Sequence, residues 1–146
     1  MDQLKSILLV DDSLRDLELA VEALEPFNVD RPIVTLRDGA EALDYLFRRG
    51  PFAGRADGQP SVVLLDLKMP KVDGLEVLRQ VKADPELKSI PIVMMTSSRE
   101  ESDLVRSYQL GVNAYVVKPV KFEEFADVVK QIGIFWTKLN EGPPSK

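Results

Sequence analysis

A fivefold alternation constrains this chain more than any other feature. Short, almost unbroken apolar runs rich in β-branched residues take turns with stretches of helical periodicity. The runs occupy 5–10, 32–36, 61–65, 90–95 and 114–117. Strands covered on both faces read as continuous apolar runs, and parallel strands joined by helical crossovers are covered in that way. Between the runs, Leu14, Leu17, Val21 and Leu24 follow the 3-4-3 spacing of a helix. Ala42, Leu43, Leu46 and Phe47 mark a second helix, with Asp38 and Glu41 spaced as a capping box at its start. A third runs from about Leu75 to Ala83 and is closed by Asp84-Pro85. The fourth begins near Ser98, with Glu101 three residues on, and stops at Gly111. The fifth runs from Phe122 to about Leu139. The expectation is an α/β fold: a doubly wound, five-stranded parallel sheet flanked by five helices. One domain spans 1–140. The tail 141–146 (EGPPSK) has no apolar anchor and is expected to be disordered.

Composition narrows the chemistry. The 146 residues contain no cysteine and no histidine. Disulfides, thiolate or imidazole metal sites, cysteine nucleophiles and Ser-His triads are thereby excluded. A formal net charge of −5 argues against a broad nucleic-acid footprint, so no DNA partner is expected. No apolar run approaches the ~18 residues of a membrane span, and the amino terminus lacks a signal-peptide pattern, which makes cytoplasmic the default location.

Ligands of open parallel sheets bind beyond the carboxyl ends of the strands. The first run ends in Asp11-Asp12, the third in Asp66, the fourth in Thr96 and the fifth in Lys118-Pro119. Any one of these is commonly a helix cap, a turn former or a solvated lysine. Together they bring three carboxylates, a hydroxyl and an ammonium to one edge. Three carboxylates repel one another without a cation. Mg2+ suits them, because it takes oxygen ligands and needs only one or two protein carboxylates. That leaves one carboxylate free as a nucleophile toward phosphorus. Asp66, on the third strand, is the best placed of the three, with Lys118 and Thr96 as partners for phosphoryl oxygens.

The motifs VDDS, LLDLKMPKVDG, MMTSS and YVVKPV, in that order, resemble the receiver domain of two-component response regulators. The resemblance covers nearly the whole chain and implies the strand order 2-1-3-4-5. It implies that Asp66 is the phospho-acceptor, taking its phosphoryl group from a histidine kinase. Asp11, Asp12, Asp66 and the backbone carbonyl of Lys68 would hold Mg2+. Lys118 would contact the phosphoryl group ahead of a cis Pro119. Thr96 would be the switch hydroxyl, and Tyr115 the aromatic that turns inward behind it; the residues alone say nothing about Tyr115. Such a protein assists its own phosphorylation and dephosphorylation without turning over a separate substrate, so it is not expected to be an enzyme.

With only seven residues after Leu139, no output domain is expected, and the signal is expected to leave through the receiver's own surface. The last helix carries a broad apolar stripe whose Phe125, Val128, Ile132, Phe135 and Trp136 suggest a homodimer interface, joined by the fifth strand and fourth helix. Alternatives are a phosphotransfer intermediate that serves a downstream histidine, or a constitutive interaction module. The long loop 48–60 (RRGPFAGRADGQP) and the pair Phe135-Trp136 resemble stand-alone receivers that serve bacterial and cyanobacterial phytochrome-type histidine kinases. The loop is either a tolerated insertion or a kinase contact. A flavodoxin-like FMN protein would need an anion-binding loop where Asp11-Asp12 stands. An aspartyl phosphatase would need a carboxylate where Lys68 stands.

Overall fold

The computed structural model describes residues 5–27 and 31–143; the last three residues of the expected tail lie outside that range. Its elements run β1 (Ile7–Val10), α1 (Leu14–Leu24), β2 (Ile33–Leu36), α2 (Gly39–Phe47), β3 (Val62–Leu65), α3 (Gly74–Ala83), β4 (Ile92–Thr96), α4 (Glu101–Gln109), β5 (Ala114–Val117) and α5 (Phe122–Ile134). The strands form one parallel sheet in the order β2-β1-β3-β4-β5.

Side chains of successive strand residues leave the sheet on opposite faces. Leu8 and Val10, Val63 and Leu65, Ile92 and Met94 therefore pack with α2 and α3 on one side. Ile7 and Leu9, Val62 and Leu64, Val93 and Met95 pack with α1 and α5 on the other. Every residue of β1, β3 and β4 is buried, which is why those runs read as continuous in the sequence. β5 closes one edge and is only half-buried along its length. No helix among the described residues is long and apolar enough to cross a membrane.

Three local features depart from the sequence reading. The fourth helix starts at Glu101, because the Ser98 hydroxyl accepts the Glu100 N–H and donates to Asp103 instead of capping a turn that begins there. The fifth helix is α-helical to Ile134 and finishes as a π turn over Phe135–Leu139. The third departure corrects the expected dimer set: Phe125 is 6% exposed and packs inward with Leu9, Leu17, Val93 and Met95. The face of α5 that carries Phe125 and Val129 is consumed by the chain's own core. Val128, Ile132 and Trp136 lie beside that core, half-buried, whereas Phe135 is exposed.

The long loop is not slack. Arg48 takes a left-handed backbone at the end of α2, and the chain then passes through a 3-10 turn at Gly50–Phe52. Arg55 folds back beneath it. Its guanidinium lies 3.9 Å from the centroid of the Tyr45 ring and donates to the Tyr45 carbonyl, to the Gly58 carbonyl and to Gln59. Gln59 in turn donates to the Leu46 carbonyl.

Candidate functional site

The sheet's hydrogen bonds continue one residue past three strands. Asp11 N–H donates to the Leu36 carbonyl at 3.1 Å, Asp66 N–H to the Val10 carbonyl at 2.9 Å, and Lys118 N–H to the Thr96 carbonyl at 2.8 Å. Backbone pairing alone thus fixes Asp11 and Asp66 on neighbouring strands and aims Lys118 from the edge. α3 presses against the end of β3: a Cβ at Gly74 would run into the Asp66 carbonyl oxygen and the Leu67 Cα, so the approach requires glycine.

Here the structure gathers what the strand ends foretold. An oxygen from each of Asp11, Asp12 and Asp66 lies within 4.8 Å of the others. Asp11 and Asp66 are each 8% exposed, and Asp12 faces solvent. The Lys118 ammonium donates to Asp11 Oδ2 at 2.6 Å and stands 3.5 Å from Asp66 Oδ2. Burial pushes the Asp66 carboxyl up to about 6; Lys118 opposes the shift and Asp11 reinforces it. Burial alone would depress Lys118, but hydrogen bonds to Asp11 and Asp16 outweigh it and raise the ammonium above its ordinary value.

Asp16 is the site residue that the sequence reading missed. It lies in the first turn of α1 and accepts from Lys118 Nζ at 2.9 Å. Its spacing becomes a signal only once the inward face of α1 is known. The buried stripe of α1 is Leu17, Ala20 and Leu24, and Asp16 stands four residues before Ala20 and eight before Leu24.

Thr96 is fully buried, and its hydroxyl accepts the Ser98 N–H at 3.2 Å instead of reaching Asp66. The Tyr115 hydroxyl donates to the Ser98 carbonyl at 3.1 Å, while its ring packs against the core on the α3 side. Lys68, in the β3–α3 loop, extends its side chain toward α4, 3.6 Å from Asp103. The peptide bond before Pro119 is trans, since no peptide bond among the described residues is cis. That corrects the cis bond implied by the resemblance. Trans is the ground state of an X–Pro bond by about 0.5–1 kcal/mol, and Lys118 reaches Asp11 and Asp16 without departing from it.

The donor set is all oxygen, carries excess negative charge and holds one carboxyl with a raised pKa. Those are the attributes of a hard divalent-cation site, and they fit a cation held by Asp11, Asp12 and Asp66. With the ammonium beside them, the arrangement is suited to neutralising a phosphoryl group delivered to Asp66.

The family model described as response regulator receiver domain matches residues 7–130. Response regulator Rcp1 from Synechocystis sp. is 40% identical over 132 residues, which cover 90% of this chain and 88% of the relative. Phosphorylated cyanobacterial phytochrome response regulator RcpA superimposes with a TM-score of 0.90 at 41% identity, over 96% of this chain and 99% of that one. The Mn2+-bound form of Rcp1 gives 0.89 at 38% identity, again over 96% and 99%. Bacteriophytochrome response regulator RtBRR is more similar in sequence, at 60% identity over 97% of this chain and 85% of its own, and gives 0.75.

Proposed function

The chain belongs to the family of response regulator receiver domains, and from that premise we propose that it accepts a phosphoryl group on Asp66 from a sensor histidine kinase and signals through a change at its own surface. It is a receiver and not an enzyme acting on a separate substrate. The observation that carries the reading is the ammonium of Lys118 set between Asp11 and Asp66, in a cluster of three carboxylates with one cation's worth of charge missing.

Asp66 is the nucleophile because it is the buried carboxylate whose backbone is pinned between β1 and α3. A Mg2+ ion held by Asp11, Asp12, Asp66 and the Lys68 carbonyl would supply charge neutralisation for the transferring group. Lys118 binds and orients one phosphoryl oxygen. Thr96 gives up the Ser98 amide to bind another, and Tyr115 follows it inward, so that the change at Asp66 spreads to β5. Around the site, Val120 is fully exposed and Leu14 and Phe122 are about half exposed, an apolar rim on which a kinase helix can seat. Similarity to phytochrome response regulators supports a phytochrome-type kinase as the donor.

The output surface is the edge made by α4, β5 and α5. Phe135 there is 46% exposed, with Leu139, Leu104, Val105 and Tyr108 also uncovered. A second copy of the chain fits it, joined through Phe135 with Val128, Ile132 and Trp136 beside it.

The test is direct. The protein is incubated with Mg2+ and acetyl phosphate, and intact mass is read for one added phosphoryl group that survives acid and is lost in base. Wild type should acquire it; Asp66→Asn and a Mg2+-free control should not. A wild-type protein that stays unlabelled sinks the proposal.

A further inference from the structure

Lys68 stands two residues after Asp66 and Ser98 two residues after Thr96, and both converge on a carboxylate to which the mechanism above gives no role. Asp103, in the first turn of α4, accepts the Ser98 hydroxyl at 2.6 Å and lies 3.6 Å from Lys68 Nζ. Its own side chain is nearly buried, whereas that of Lys68 is mostly exposed. Ser98 is already tied to the switch, because its N–H donates to Thr96 and its carbonyl accepts from Tyr115. One acid therefore holds groups from the β3–α3 loop and the β4–α4 loop against the same helix. A lysine on a four-carbon stem carries a compact charge that can change partner, and an ion pair this exposed is weak enough to let it.

We propose that Asp103 is a positioning residue for the phosphorylation of Asp66: in the resting protein it holds the Lys68 ammonium toward α4, and it yields that ammonium to the phosphoryl group as the group arrives. In the step itself an Asp66 carboxylate oxygen bonds to phosphorus while the bond from phosphorus to the donor's leaving atom breaks with its electron pair. With acetyl phosphate the leaving group is acetate. Lys68 stabilises the incoming negative charge only after leaving Asp103, so the acid restrains the reaction. Once Lys68 has moved, Asp103 keeps only the Ser98 hydroxyl, and α4 is less firmly held to the site at the moment Thr96 and Tyr115 shift. The inference rests on Asp66 being the phospho-acceptor.

Initial labelling rates with Mg2+ and acetyl phosphate, read by intact mass, test it on the full chain. Asp103→Asn keeps an acceptor for Ser98 but releases Lys68, and should label about two- to fivefold faster than wild type. In a Lys68→Met background the same substitution should change nothing. Asp103→Glu should restore a rate near that of wild type. Ser98→Ala leaves the carboxylate to Lys68 alone and should label more slowly, which keeps the inference exposed to failure if Asp103→Asn does not fold. An Asp103→Asn rate equal to wild type, an acceleration that persists in Lys68→Met, or a faster Ser98→Ala overturns the inference. An unlabelled wild type overturns the phospho-acceptor reading instead, so the two failures are distinct.

Discussion

Asp66 is a carboxyl placed where ionisation is costly until a cation or a phosphoryl group arrives. Its folded-state pKa is raised from 3.8 to about 6, so the native chain holds this proton more tightly than the unfolded chain does. The contribution of the group to stability is therefore present below about pH 4 and lost as pH rises through about 6. Asp66→Asn should be more stable than wild type at pH 7, by about 1–3 kcal/mol in urea unfolding without Mg2+, and the difference should vanish near pH 4. Cation binding follows the opposite course, because the metal must displace that proton. Mg2+ affinity should weaken as pH drops through about 6, and an affinity that stays flat there would count against a buried Asp66 that holds its proton in the metal-free protein. At this scale most of the cluster was legible in advance. Asp11, Asp12, Asp66 and Lys118 follow apolar runs, and parallel pairing must bring such positions to one edge. Asp16 was not, because an acid in a first helical turn has an ordinary role beside the helix amide groups. Only the true inward face of α1, through Leu17, Ala20 and Leu24, shows that it points at Lys118.

Among the elements, the 48–60 loop departs furthest from what its composition suggests. Glycine, proline and arginine in that density read as a tolerated surface insertion or a kinase contact. In the structure a single arginine folds it. The Arg55 side chain is 7% exposed and meets the Tyr45 ring, two backbone carbonyls of neighbouring turns and the Gln59 amide. Arg55→Ala should cost about 2–4 kcal/mol, since it leaves buried acceptors without a donor. The loop should then become the first point of cleavage in limited proteolysis. Arg55→Lys should rescue little, because an ammonium cannot reproduce the planar fork or its stacking. No periodicity announces a contact of this kind; it depends on where one long side chain finds carbonyls ten residues back. The start of α4 escaped for a similar reason. Ser98 and Glu101 satisfy the capping-box spacing, but the serine hydroxyl has a stronger acceptor in Asp103.

For the molecule as a whole, burial is uneven across the sheet. β1, β3 and β4 are sealed between helices, whereas β5 is half-buried at the edge of the sheet; Tyr108 on α4 and Phe135 in the turn that ends α5 are exposed. Association through that edge should be visible in sedimentation velocity at micromolar concentration. Phe135→Ser should shift the protein toward monomer, whereas Phe125→Ser should unfold it, because one side chain lies outside the core and the other within it. A wild type that stays monomeric with and without phosphorylation would remove this edge as the output surface. The apolar breadth of the last helix was readable from the sequence. The division of that breadth between core and surface was not, because 3.6-residue periodicity gives a stripe but not its orientation against α1.

The Arg31 guanidinium donates through one arm to the Lys5 carbonyl and the Ser61 hydroxyl, and through the other to the Thr137 carbonyl. It thereby ties the entrance of β1, the approach to β3 and the final π turn into one knot at the end of the sheet remote from Asp66. Because the chain is synthesised from the amino terminus, this knot is tied only after all five strands have been made. A nascent receiver holds every strand and the whole carboxylate–lysine cluster before it holds Thr137. It can therefore assemble that cluster while the π turn is still unfastened. Ending the chain after Ile134, or replacing Arg31 with alanine, should lower the melting temperature by a few degrees and leave labelling of Asp66 in place.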